Sequence, residues 1–327
     1  MNVAEPRNVT TELGLIAKYF SRPAKRALLG VGDDCALLPG SSACTAISTD
    51  TLVEGIHFFA DVDPKTLGHK ALAVNLSDLA AMGATPRFFT LALTLPRVDD
   101  DWLSQFSAGL FALADQFQIE LVGGDTTRGP LSITITVLGE LKTDDALRRD
   151  GAKAGDDVWV SGRLGGAALA LRQLLSQGTR AAIDTDLRTR LEAPQPRIAL
   201  GKRLGALAHS AIDISDGLLA DLNHVATRSS LGANIDWSSL PIHPALQSEA
   251  LALRQMCALT GGDDYELCFT AATPQRDNIT QLGEELGLPL TRIGTMTSGP
   301  IQVRVLDRAG DELKQSATGF DHFSRQF

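Results

Sequence analysis

Six times along the chain an apolar, strand-like run ends in glycine or serine and is followed at once by one or two aspartates. The instances are Gly30-Val31-Gly32-Asp33-Asp34, Ser48-Thr49-Asp50, Asn75-Leu76-Ser77-Asp78, Gly123-Gly124-Asp125-Thr126-Thr127, Asp213-Ile214-Ser215-Asp216-Gly217 and Gly261-Gly262-Asp263-Asp264. These runs alternate with helix-period segments, which constrains the chain to an α/β architecture with acidic loops at its strand ends. Glycine lets the backbone turn sharply and approach a ligand, while carboxylates and hydroxyls offer the hard oxygens that magnesium prefers. One Gly-Asp or Ser-Asp pair alone is ordinary turn or helix-cap chemistry. Capping needs a single oxygen per helix start, not doubled aspartates after paired glycines. The set is better explained by a shared metal and phosphate site.

Between these points the periodicity predicts a helix over Glu12 to Phe20, strands over Ala43 to Ser48 and Phe88 to Leu95, and helices over Pro64 to Met82 and Asp99 to Gln116. Ile119 to Gly123 and Leu131 to Leu141 read as strands. At 327 residues the chain is long enough for two cores. The charged, glycine-containing stretch from Lys142 to Asp156 reads as the crossing between them. Residues 1–142 and 143–327 are therefore the expected domains, the second a further α/β half opening with the strand Asp157 to Ser161. Its helices are expected at Gly166 to Leu175, Asp186 to Leu191, Ile198 to Ala208, Gly217 to Arg228 and Asp277 to Leu286. Its remaining strands fall at Ser210 to Ile214, Ala233 to Asp236, Glu266 to Thr270 and Gln302 to Leu306.

Charge and motif content remove several function classes. A formal charge of −9 with scattered Lys and Arg gives no basic face for nucleic acid. Converging carboxylates instead need divalent cations to offset their repulsion, and those cations can in turn hold phosphates. Zinc is disfavoured, because His57, His69, His209, His224, His243 and His322 are dispersed and none pairs with cysteine at ligand spacing. A Walker A loop, the third glycine of a dinucleotide fingerprint and the protein-kinase signatures are all missing. Cys35, Cys44, Cys257 and Cys268 show no C-x-x-C spacing and read as buried free thiols of a reducing compartment. With no signal-like N-terminus and no membrane-length apolar run, the expected location is the cytoplasm, with no membrane partner.

Two further features stay open at this level. Gly162-Arg163-Leu164-Gly165-Gly166 follows a strand and opens a helix, so its amides either receive a phosphate or merely allow tight strand-helix packing. His57 follows the Asp50 segment closely, although a lone histidine is commonly structural.

The motifs, in their order, resemble the thiamine-monophosphate kinase family, within the superfamily of aminoimidazole ribonucleotide synthetase, selenophosphate synthetase and a hydrogenase maturation protein. The match spans nearly the whole chain. Its most specific stretches are Gly32 to Ala36, Ile47 to Val53, Lys70 to Asp78, Gly123 to Thr127, Asp213 to Leu218 and Asp264 to Leu267. The resemblance implies a two-domain α/β (α+β) chain: an N-terminal ATP- and Mg-binding domain joining a dimer barrel, and a C-terminal domain completing the nucleotide and substrate site. Asp34, Ser48, Thr49, Asp50, Asp78, Asp125, Asp213 and Asp216 would surround several Mg2+ ions, with Asp33 acting from behind. Gly124, Asp125, Arg149 and Ser215 would contact ATP, and His57, Asp263 and Phe320 would contact thiamine monophosphate.

The implied reaction moves the γ-phosphoryl group of ATP directly to thiamine monophosphate in a cytoplasmic homodimer, with no phosphoenzyme and no catalytic base. Three departures stand out. Asp263 replaces the family's glutamate; Gly165-Gly166-Ala167 replaces Gly-Asp-Ser; and Glu192-Ala193-Pro194-Gln195-Pro196-Arg197 lacks the first Arg-Pro pair. The alternatives are another ATP-dependent enzyme of the superfamily, such as the aminoimidazole synthetase, and a non-catalytic nucleotide- or metal-binding protein.

Overall fold

The computed structural model describes residues 15–23, 25–27, 38, 44–142, 146–177 and 183–313. The chain divides into two compact units, one of residues 1–79 and 85–142, the other of residues 80–84 and 143–327. The family-implied α/β chain with two sheets is what the structure contains.

In the first unit β1 (Cys44–Val53), β2 (Thr85–Leu95), β3 (Glu120–Arg128) and β4 (Ser132–Leu141) form a sheet in the order β1-β4-β2-β3. β4 pairs antiparallel with β1 and β2, while β2 and β3 run parallel. Along β4 the burial alternates, with Ile133, Ile135 and Val137 inward and Thr134 and Thr136 only partly covered. That period of two marks a sheet packed on one face. Helices α1 (Pro64–Ala81, as far as Leu79) and α2 (Asp100–Phe117) belong to the same unit. They contribute Leu67, Leu72, Leu76, Leu103, Phe106 and Leu110, each fully buried. From Leu67 onward α1 is buried on nearly all sides, as expected of a helix apolar all round. It also meets α2 at glycines: a Cβ on Gly68 would lie 2.0 Å from the Phe106 carbonyl oxygen, and one on Gly109 would lie 1.8 Å from that of Lys65. The two backbones are in contact with no side chain between them.

The second unit carries six strands in the order β10-β7-β9-β5-β8-β6. They are β5 (Asp157–Ser161), β6 (Ser210–Asp213), β7 (Gly232–Asp236), β8 (Leu267–Ala271), β9 (Leu290–Thr297) and β10 (Val303–Leu306). Among the described residues of this sheet only the β10–β7 pair is parallel. The strands β5, β6 and β8 are buried at every residue, marking the centre of this core. Helices α3 (Gly166–Gln177), α4 (Thr185–Glu192), α5 (Ile198–Leu204), α6 (Leu218–Ser229), α7 (Leu251–Gln255) and α8 (Arg276–Leu286) complete the unit. From α6, Leu218, Leu222, Val225 and Ala226 pack on Ile212, Val160 and Cys268.

Several sequence expectations change. Strand β1 does not stop at Ser48 but continues through Thr49 and Asp50 to Val53, because threonine, valine and leucine alternate well along a sheet edge. Gly123 to Thr127 lie within β3, and Asn75 to Asp78 lie within α1. Gly261 to Asp264 precede a strand instead of following one. Among the described residues only the Asp213 segment ends a strand as expected. The expected helix from Glu12 is described only from residue 15, with a π-helical turn over Ile16–Phe20. Cys257 and Cys268 are buried as expected, whereas Cys44 is exposed at the first residue of the edge strand β1.

Candidate functional site

In the first unit the chemistry gathers where β1 passes α1. Ser48 and Asp50 are two apart on one strand, so they share a face, and both are half-buried between more exposed neighbours. Asn75 and Asp78, three apart on α1, share a side of that helix. The two pairs interlock: the Ser48 hydroxyl donates to Asp78 Oδ2 at 2.5 Å, and the Asp50 amide donates to Asn75 Oδ1 at 3.0 Å. Asn75 itself is buried and donates to the Ala71 carbonyl at 3.0 Å, which fixes its amide orientation. An edge-strand amide is thereby satisfied by a helix side chain, and hard oxygen donors from two elements are held at one place.

Asp125 stands elsewhere on the same sheet. Asp50 pairs with Ile135, Ile135 with Leu91, and Leu91 with Gly124. Three strand spacings, about 14 Å across a flat sheet, therefore separate β1 from β3. Asp125 is exposed, one residue beyond that row. Its neighbour Gly124 has φ 149°, and a Cβ there would lie 1.8 Å from the Leu91 carbonyl oxygen, so only glycine lets β3 run against β2 at this point. The Thr49 hydroxyl lies 2.9 Å from that of Thr136, in a row on the opposite face from Ser48. His57 accepts from the Val53 amide through Nδ1 at 2.9 Å, which leaves the ring proton on Nε2 of the neutral imidazole.

The second unit brings three loops together. The Asp213 carboxylate is buried at the end of β6, and Ser215 and Asp216 are half-buried just beyond it. Asp263 donates its amide to the Ser215 carbonyl at 2.9 Å, and Tyr265 donates to that of Ile214 at 2.8 Å, so the 213–217 and 261–266 loops run side by side. Asp263 and Tyr265 hold φ of 68° and 49°, strained for non-glycine residues, and the Tyr265 hydroxyl donates to Asp263 Oδ1 at 3.0 Å. The third loop settles the Gly162–Gly166 question for one amide: Gly165 donates to both Asp264 oxygens at 3.0 Å. A carboxylate of the chain already sits where a phosphate would be received. Burial, then the charges of Glu266 and Asp263, push the Asp264 carboxyl well above the usual carboxylate range. Glu266 is buried, accepts from the Ser161 hydroxyl at 2.6 Å and accepts from Nε and Nη2 of the Arg197 guanidinium.

Asp221 was not anticipated. Its Oδ2 accepts the amides of Ser215, Asp216 and Gly217 at 3.0, 3.1 and 3.1 Å. Burial, then the Asp216 charge, push its carboxyl up to about 7. Its signal was the spacing, since a carboxylate four residues into a helix can reach back over the turn before it. Asn75 was legible in the same way, one helical turn ahead of Asp78. Arg149 is exposed, and its carbonyl accepts from the Ser229 hydroxyl at 2.9 Å. Asp33, Asp34 and Phe320 lie outside the described residues. Among the described residues, no three His, Cys, Asp or Glu side chains close into a ready ion cage.

Comparison with known proteins places this geometry. Residues 32–141 match the family described as AIR synthase related protein, N-terminal domain, and residues 153–307 match its C-terminal domain. A thiamine-monophosphate kinase of Escherichia coli O157:H7 is 48% identical over 322 residues, which cover 96% of this chain and 98% of the relative. The crystal structure of a thiamine-monophosphate kinase from Stenotrophomonas maltophilia K279a aligns with a TM-score of 0.82 and 52% identity, over 86% of this chain and 91% of that one. A structure of AaThiL complexed with AMPPCP and TMP aligns at 0.76 and 30% identity, over 90% and 92%.

Proposed function

The chain belongs to the thiamine-monophosphate kinase family of AIR synthase related proteins, and we propose how its residues serve that reaction. The γ-phosphoryl group of ATP passes to thiamine monophosphate, giving thiamine diphosphate and ADP. A phosphate acceptor is already ionised near neutral pH, so no general base is assigned. The work of the site is to bring two anions into line and to offset their charge.

In this reading Ser48, Asp50 and Asp78, joined by Thr49 and Asp125 from the same sheet and by Asp33 and Asp34 from earlier in the chain, hold Mg2+ in the first unit. Asp213 and Asp216 hold it in the second. The donor chemistry fits: these are hard oxygens, and Ser48 and Asp78 are brought into hydrogen-bond contact from two elements. Bound Mg2+ would supply charge neutralisation on the transferring group. Gly124, Asp125, Arg149 and Ser215 are assigned to ATP, and His57, Asp263 and Phe320 to thiamine monophosphate. The neutral His57, protonated on Nε2, presents a donor, while Asp263 is held in place by Tyr265. The protein is read as a cytoplasmic homodimer, residues 1–142 carrying dimerisation and ATP and Mg2+ binding and residues 143–327 completing the nucleotide and substrate site. Among the described residues no helix is long and apolar enough to cross a membrane.

The observation that carries the site assignment is the interlock of Ser48 with Asp78 and of Asp50 with Asn75. A coupled ADP assay with magnesium tests the reading. Thiamine monophosphate should drive ADP release, whereas free thiamine and aminoimidazole precursors should not. Asp50→Asn should fold normally and lose turnover by orders of magnitude at limiting magnesium, and unchanged kinetics would remove Asp50 from the site.

A further inference from the structure

We propose that Asp221 is a positioning residue for the nucleotide, holding Ser215 and Asp216 in their binding pose without itself touching ATP. The inference rests on the reading of the 213–217 turn as part of the nucleotide and metal site.

Asp221 and its turn are closed on each other from both directions. One carboxylate oxygen accepts three successive amides, those of Ser215, Asp216 and Gly217. The Asp221 amide in turn donates to the Gly217 carbonyl at 3.0 Å. The usual means of fixing such a turn is absent, since the cap residue before α6 is Gly217, with φ 116° and no side chain to accept a bond. Asp221 does from inside the helix what a capping side chain does from in front of it.

This arrangement decides how the turn can meet a phosphate. Successive amides at a helix start are the natural receptor for an anion. Here the chain's own carboxylate, 3% exposed, fills that receptor, so an incoming triphosphate cannot use these amides. Recognition passes to the half-buried side chains of the turn, the Ser215 hydroxyl directly and the Asp216 carboxylate through the Mg2+ it would hold. Their directions are set by the backbone that Asp221 grips. The carbonyl side of the turn is tied separately, through Asp263 and Tyr265 to Ser215 and Ile214. Loss of Asp221 should therefore free the nucleotide side of the turn and spare the side leading to Asp263.

The test uses the full-length chain with Asp221→Ala, which removes the acceptor, and Asp221→Asn, which keeps an oxygen and removes its charge. KM for ATP, KM for thiamine monophosphate, kcat and Tm are measured at saturating magnesium, with binding of a non-hydrolysable ATP analogue measured directly. The expected result is an ATP KM raised about tenfold or more in Asp221→Ala and about threefold in Asp221→Asn. KM for thiamine monophosphate should stay within about twofold. A folded Asp221→Ala variant with an unchanged ATP KM overturns the proposal, as does a parallel rise in both KM values, the mark of a merely structural role. Should Asp221→Ala fail to fold, Asp221→Asn decides, and a wild-type ATP KM there overturns the proposal. Ser215→Ala and Asp216→Asn separate the layers. If they leave ATP binding intact, the reading of the turn fails and this inference with it. If they weaken binding while the Asp221 variants do not, only this inference fails.

Discussion

Single side chains here act mostly by satisfying backbone. Asn75 serves the Asp50 amide, Asp221 serves three amides and Asp264 serves that of Gly165, all from within or beside apolar cores. For Asp264 the consequence is measurable. Asp264→Ala strands a buried amide and should cost about 1–3 kcal/mol of stability, seen as a lower denaturation midpoint. Asp264→Asn keeps an acceptor and removes the need to bury charge. Because the folded-state value is raised, the aspartate's contribution is fully present below the unfolded value of about 3.9 and is lost as pH rises above it. The stability of Asp264→Asn relative to wild type should therefore improve between about pH 5 and about pH 8. An identical difference at both would mean the carboxyl is not perturbed. These residues were visible in the sequence as carboxylates and amides, but which amide each would meet was not, since the pairs Asn75–Asp50 and Asp264–Gly165 are far apart in the chain.

Elements were legible wherever packing was one-sided or burial complete. The alternation of β4 and the apolar stretch of β5 both announce strands, and α2 has an aspartate cap at Asp99 accepting from the Trp102 amide at 3.1 Å. Strand β9 was missed because Leu290 to Thr297 mixes arginine, glycine and threonine with its apolar residues, yet it lies between β7 and β5, paired to both. Tertiary pairing overrides weak local preference there. The crossing of α1 and α2 yields a prediction of its own. Gly109→Ala would drive a methyl into the Lys65 carbonyl and should destabilise the fold by about 1–3 kcal/mol. An unchanged denaturant midpoint would show that the helices can part freely.

At the scale of the whole molecule, the open face of the first sheet carries Thr49 and Thr51 hydrogen-bonded to Thr136 and Thr134, beside Ile47, which is 65% exposed. If the proposed homodimer uses that face, light scattering should give about twice the chain's 34.8 kDa, and Ile47→Arg should halve it. A dimer that survives Ile47→Arg would place the interface elsewhere. The sequence alone determined the α/β class and the inventory of carboxylates, glycines and hydroxyls, because composition, periodicity and motif order are local properties. The tertiary structure decided which of them meet. It joined Ser48 to Asp78, set Asp125 three strands from Asp50 and placed Asp221 and Asp264 on amides that a ligand could otherwise have used. Strand order, register and the seating of a helix on a sheet arise from contacts between distant segments, and no window of neighbouring residues contains them.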